Sequence, residues 1–323
     1  MTAFFFAFSG SADRGDDVQH VKEAVKIYNL SIVHNLKFFS MRNRGVVYCA
    51  MGNIIYLEAA LISAMSLRQL EPKIPITLIC DHPLLKLLPL GDYEITPSFI
   101  EASEINDDSS FLSRDIKTCQ STFSLYKETL FLDADILPLK PISELWDYLS
   151  QKDMAMVVDR LPTLSLCEHI SPEEKSYTLQ YLPEGTTQFN SGVILWRDSI
   201  QTQFLFELWH QEWLKFKKHD QLALVRAINR TQFSVTRLPQ IYNISPIDAA
   251  SRVNNKSVEM LSHIHQMCQI KAASMLDQKN DICFLHCWGR LVTSGKFRQI
   301  AYKFYPNIVE QVVGAITFYL DNY

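Results

Sequence analysis

The sequence predicts an α/β fold, a mainly parallel central sheet with helices on both faces. Three observations predict it. Short apolar runs alternate with stretches of helical periodicity. The runs are apolar at nearly every residue, as strands covered on both sides are, and not only at alternate positions. Several of them end on a carboxylate, at the sheet edge where parallel strands bind ligands.

Taken in order, Val46–Ala50 reads as the first buried strand, and a helix follows over Tyr56–Leu70. Ile76–Cys80 is a second strand ending at Asp81. Thr129–Leu132 runs into Asp133, and Ala155–Val158 runs into Asp159. Gly192–Trp196 is a further strand, followed by a helix from about Phe204 to Lys217 and another beginning near Asp220. Ile282–Leu285 forms a late strand leading into His286. Residues 1–44 read as an N-terminal extension, in which Val18, Val21, Val25, Tyr28, Ile32, Leu36 and Phe39 mark one amphipathic helix. Residues 45–297 read as the main domain. Residues 298–323 read as one amphipathic helix with Ile300, Phe304, Ile308, Val312, Ile316 and Leu320 on its stripe.

The composition narrows the function. Of 323 residues, 47% are hydrophobic and 20% charged, enough apolar material for a full core. A net charge of -4 argues against a nucleic-acid binder, which carries a basic surplus on one face. The seven cysteines are scattered and odd in number, which points to reduced thiols in the cytoplasm. Cys283, His286 and Cys287 lack a second nearby pair to complete a zinc site. No run of about 18 apolar residues occurs, so no membrane span is expected and membrane contact is at most peripheral. Met1–Phe8 is apolar but lacks the basic flank of a signal peptide.

The strongest chemical signal is Leu130-Phe131-Leu132-Asp133-Ala134-Asp135-Ile136-Leu137. Two carboxylates two residues apart at a strand end can approach one hard cation, and oxygen donors suit Mg2+ or Mn2+ able to neutralise a diphosphate. Two other enzyme classes use related fragments. A haloacid-dehalogenase-type phosphatase places its acidic pair near the start of its domain, with Thr or Val where Leu137 stands. A sugar nucleotidyltransferase opens with a glycine-rich basic loop, and Met51–Tyr56 contains none.

Four further segments stand in register with the acidic pair: Arg114–Thr118, Phe189-Asn190-Ser191-Gly192-Val193, His219-Asp220-Gln221 and His286-Cys287-Trp288-Gly289. Together they resemble glycosyltransferase family 8, the glycogenin-like and bacterial lipopolysaccharide glucosyl- and galactosyltransferases of the GT-A fold, over roughly residues 46–297. The resemblance implies retaining transfer of a hexose from a nucleoside-diphosphate sugar, a UDP-sugar, to a hydroxyl of a sugar, lipid or protein acceptor. It implies Mn2+ or Mg2+ held by Asp133, Asp135 and His286, with Asp220, Gln221 and Asn190 at the reacting sugar. Donor contacts are implied for Ala50, Tyr56, Arg114, Lys117, Ala134, Asp159, Gly192 and Gly289. One departure stands out. The family pattern continues His-x-x-Gly-x-x-Lys, with the lysine on the diphosphate, and here that position is Val292. Arg290 and Lys296 are the candidates to replace it. Lys296 is carried as a donor contact because Thr293-Ser294-Gly295 before it suits a loop that closes on the donor. Val292 is also the one feature favouring an alternative, a nucleotide-sugar-binding protein without turnover.

Overall fold

The structure, a computed structural model, describes residues 42–101, 112–167, 170–254, 266–277 and 280–322. The helix expected within residues 1–44 therefore lies outside the described residues up to Met41. Arg42–Arg44 are not part of an extension but the start of the first strand.

A seven-stranded sheet has the order β3-β2-β1-β4-β7-β6-β8. Its strands are β1 (Arg42–Ala50), β2 (Ile76–Cys80), β3 (Ile95–Phe99), β4 (Tyr126–Asp133), β6 (Met154–Thr163), β7 (Thr187–Arg197) and β8 (Thr236–Leu238). Neighbours run parallel except β7, which is antiparallel to both β4 and β6. The expected mainly parallel sheet is present, with one reversed strand in its middle. That reversal matters for the site. It brings the first half of β7, with Asn190 and Gly192, to the carboxyl end of β4, where Leu132 pairs with Val193.

The sheet is covered on both faces, and side chains alternate between two cores as the pleat requires. Val46, Tyr48, Leu130, Leu132, Val193 and Leu195 join one core. Val47, Cys49, Phe131, Ile194 and Trp196 join the other. The first core is closed by helix α1 (Ile54–Leu70), together with α8 (Lys296–Phe304) and α9 (Pro306–Asn322). The second is closed by α4 (Ile200–Leu214) and α5 (Asp220–Thr231). The remaining helices among the described residues are α2 (Leu112–Thr118), α3 (Pro172–Leu179), α6 (Pro246–Val253) and α7 (Gln266–Ser274).

The single C-terminal helix expected over 298–323 is two. Tyr305, with φ -139, interrupts it, and Pro306 opens the second segment because proline lacks the N–H a continuing helix needs. Ile300, Phe304, Ile308, Val312 and Ile316 are buried as the stripe predicts, whereas Leu320 is exposed. Arg298 clamps α8 to α1 by donating from Nε and Nη2 to the two Glu58 oxygens, at 2.7 and 2.5 Å. No helix among the described residues is long and apolar enough to cross a membrane.

A small second sheet pairs β5 (Ile136–Pro138) antiparallel with β9 (Phe284–His286). It is short, and it builds the site.

Candidate metal and donor site

β4 delivers Asp133 as its last residue, and the chain crosses buried Ala134 and then Asp135 before β5 begins. Ile136 pairs with His286 across the small sheet, and the Cys287 N–H donates to the Asp135 carbonyl at 2.8 Å. Residues 133, 135 and 286 are thus brought together by strand register. Their ligand atoms all lie within 4.8 Å of one another, and His286 Nε2 stands 3.3 Å from Asp135 Oδ1. Two carboxylates and an imidazole of this span fit a divalent cation of the Mn2+ or Mg2+ kind. Among the described residues this is the one cluster of the type. Cys283 and Cys287 do not join it. Both are buried, and burial pushes both thiols up.

The three groups perturb one another's protonation. Burial pushes the Asp133 carboxyl up; Lys117 opposes that shift and Asp135 adds to it. Burial pushes Asp135 up most strongly, but His286, Lys117 and a backbone hydrogen bond together hold it below the usual carboxylate range. His286 is correspondingly raised, burial being overcome by Asp135 and Asp133. Lys117 Nζ donates to Asp133 Oδ2 at 2.8 Å and lies 3.5 Å from Asp220 Oδ2. Arg114, one turn earlier on α2, has Nε 3.7 Å from Asp220 Oδ1. The three-residue spacing that predicted a shared helix face is realised, with both cations turned to the same carboxylate.

On the β7 side, Ser191 Oγ donates to Asp220 Oδ2 at 2.5 Å. Asp220 is the first residue of α5, whose N-cap is His219, and its carboxyl is held low: burial is overcome by Lys117, Ser191 and Arg114. Gln221 Nε2 donates to Asp159 Oδ2 at 2.8 Å, and Asn190 Nδ2 donates to the same oxygen at 3.0 Å. Asp159 Oδ1 accepts the Leu161 N–H at 2.8 Å. Asp159 therefore acts as the anchor of two site amides. Nor is it at a strand end as expected: β6 continues to Thr163, with register shifts on either side of Val158.

Gly192 sits where a side chain cannot. A Cβ there would meet His286 Cε1 at 2.5 Å, Asn190 Oδ1 at 3.0 Å and Asp133 Oδ2 at 3.1 Å. Gly192→Ala is expected to leave the fold intact while moving three site residues, with Mn2+ affinity and turnover falling roughly tenfold or more, since a misplacement of about 1 Å can cost about 10²-fold in rate. Unchanged Mn2+ binding in a calorimeter would show that the cluster tolerates the methyl.

The other expected donor contacts are more scattered. Ala50 ends β1 beside β4, and Tyr56 lies partly exposed in the first turn of α1 at the same sheet end. Gly289 takes a left-handed φ of +74 and Lys296 opens α8. Val292 is buried, so the position of the family lysine faces the core. The segment expected as a flexible loop before Lys296 is a hydrogen-bonded turn, with Ser294 N–H on Arg290 O and Gly295 N–H on Val292 O.

Asp81, the carboxylate expected at the end of β2, accepts the Gly52 N–H at 2.8 Å and pins the turn after β1, where Gly52 has φ +80. One residue goes beyond the sequence expectations. Asn243 Oδ1 lies 2.8 Å from His286 Nδ1. No motif announces it, because its place depends on the pairing of residues 241–244 with β9.

The nucleotide-diphospho-sugar transferase family model matches residues 101–299, more than half of the chain. Among solved structures, the apo bifunctional glycosyltransferase WbbM is similar with a TM-score of 0.52 at 14% identity, covering 84% of this chain and 51% of that one. The galactosyltransferase LgtC in complex with donor and acceptor sugar analogs has a TM-score of 0.48 at 15% identity, covering 80% and 96%. The apo form of the glycosyltransferase GlyE of Streptococcus pneumoniae TIGR4 has 0.49 at 13%, covering 84% and 64%. No curated protein matches the chain. The order of motifs, the sheet that carries them and the family match agree: the chain belongs to the nucleotide-diphospho-sugar transferase family, as a glycosyltransferase of the family 8 type with the GT-A fold.

Proposed function

We propose that this glycosyltransferase moves a hexose from a UDP-sugar to an acceptor hydroxyl on a sugar, lipid or protein, with retention at the anomeric carbon and dependence on Mn2+ or Mg2+. The observation that carries the reading is the convergence of Asp133, Asp135 and His286 within 4.8 Å, beside Asn190, Asp220 and Gln221. A divalent cation bound there supplies Lewis-acid neutralisation of the leaving diphosphate.

The chain's own residues do the rest. Lys117 and Arg114 add fixed positive charge on one helix face beside the cluster. Asp220 and Asn190 hold the sugar. Gln221, its nitrogen engaged by Asp159 and the Phe189 carbonyl, meets the sugar through its carbonyl oxygen and serves to position it. An amide is a poor nucleophile, which favours front-face substitution, with the acceptor proton passing to the departing phosphate oxygen. Tyr56 stacks on the base, and the backbone at Ala50, Ala134, Gly192 and Gly289 borders the donor. The protein acts in the cytoplasm, consistent with seven cysteines that form no disulfide, and any membrane contact is peripheral.

The test is turnover of a panel of nucleotide sugars with and without Mn2+. Hydrolysis or transfer of a UDP-hexose only with the ion supports the reading. Absence of turnover with every donor favours the binding-protein alternative, for which buried Val292 speaks. A companion prediction concerns the diphosphate. Lys296→Ala is expected to slow transfer more than Arg290→Ala, lowering kcat more than it raises the donor KM, because the lost cation is felt mainly by the leaving group. Steady-state kinetics on the two variants decide, and equal wild-type rates would put the phosphate contact elsewhere.

A further inference from the structure

Asn243 follows the turn Gln240–Tyr242 in extended conformation, with φ -167. The segment is pinned beside β9 by three backbone hydrogen bonds: Cys283 N–H to Ile241 O, Ile244 N–H to Phe284 O and His286 N–H to Ile244 O. Its side-chain amide is thereby held between two site residues. One end faces His286 Nδ1 at 2.8 Å, the other Asn190 Oδ1 at 2.9 Å.

Which end is oxygen follows from the neighbours. The Gly192 backbone N–H can only donate, so the Asn190 atom 2.9 Å from it is oxygen. The nitrogen of Asn190 then faces the Asp159 carboxylate, an acceptor, at 3.0 Å. Because Asn190 Oδ1 accepts, Asn243 must present its nitrogen there and its oxygen to His286. Nδ1 must then carry a proton for that contact; the Asp135 carboxylate, 3.3 Å from Nε2, competes for a proton there in the metal-free ring, and a bound cation would take the Nε2 lone pair instead. A carboxylate at one end and a backbone N–H at the other set the direction of every hydrogen bond in the chain.

We infer that Asn243 is a positioning residue that fixes the ring orientation and tautomer of His286 as a metal ligand, and that Asn190 couples this setting to the sugar-binding side of the site. The inference rests on the cation site proposed above. Histidine ligands commonly donate their second ring N–H to an oxygen, and loss of that oxygen weakens metal binding.

Two readouts test it. Nitrogen-15 histidine labelling of the metal-free protein, above the pH at which the ring is neutral, reports the tautomer, with His286→Gln identifying the resonance. The wild type is expected to hold the proton on Nδ1 against the pull of Asp135 on Nε2, and Asn243→Leu to shift toward the Nε2–H form. Mn2+ titrations read by electron paramagnetic resonance of the free ion should show affinity about 10- to 100-fold weaker in Asn243→Leu. Asn243→Asp keeps the acceptor for His286 and is expected to recover most of that loss. An Nε2–H tautomer in the wild type, or wild-type Mn2+ affinity in folded Asn243→Leu, overturns the inference. If Asn243→Leu does not fold, the wild-type tautomer decides alone. Neither readout uses turnover. A chain that transfers no sugar yet passes both keeps this role for Asn243 and loses the proposed reaction, while active enzyme with the wrong tautomer does the opposite.

Discussion

Asp135→Ala and His286→Ala are each expected to lower kcat by at least about 10³-fold, the scale on which stabilisation of a charged transition state is felt. Both should fold. The Asp135 side chain is 23% exposed and contributes no apolar packing, and the His286 ring makes its named contacts through its two nitrogens. Their removal strips charge and donor atoms from the site and leaves both cores in place. Circular dichroism melts near wild type, together with lost turnover and weakened Mn2+ binding, are the expected result. Near-full activity in either variant would remove that residue from the ligand set, and failure to fold would make its role structural.

Arg226→Ala should be the most damaging change to stability. Arg226 is 3% exposed, between Glu212 and Glu174 at 1% each. Its Nε donates to Glu212 Oε2 at 2.8 Å, and its two terminal nitrogens reach Glu174 Oε1 at 3.2 Å. The cluster ties α5, which begins with Asp220 and Gln221, to α4 and α3, so it also sets where those site residues sit. Glu212 keeps Lys215 and Arg230 after the substitution, but Glu174 has no other cation within 4 Å among the described residues. Breaking a buried pair from one side costs about 3–5 kcal/mol, a melting temperature lower by on the order of 10 °C in a domain of this size. Replacing Arg226 and Glu174 together by Met and Leu should recover most of it, because no charge is then stranded. A double variant as unstable as Arg226→Ala would show that the loss comes from packing and not from charge.

The long strands were legible because each is buried on both faces, so β1, β2, β4 and the start of β6 read as plain apolar runs. The direction of β7 was not, since an apolar run is the same in either sense and only its neighbours orient it. β3 escaped notice because it is an edge strand, where exposed Thr96 and Pro97 are tolerated and no apolar run forms. The break at Pro306 was hidden by a stripe that keeps its four-residue spacing across the interruption. For the site, Asp133, Asp135 and His286 carried a motif, and Arg114 and Lys117 carried a spacing. Asp159 as an anchor for amides and Asn243 as the partner of His286 carried neither, because both depend on pairing between segments far apart in sequence.

Asp133, Asp135 and His286 are proposed to hold a cation that meets the donor diphosphate. The most direct measurement is calorimetry of UDP binding to the wild-type chain, once with Mn2+ and once with chelator. Shared contact with one ion makes the two ligands cooperative, and reciprocal coupling requires each to tighten the other. UDP affinity is expected to be at least roughly tenfold higher with Mn2+, with Mn2+ affinity raised by the same factor when UDP is present. Equal UDP affinity with Mn2+ and with chelator would contradict it.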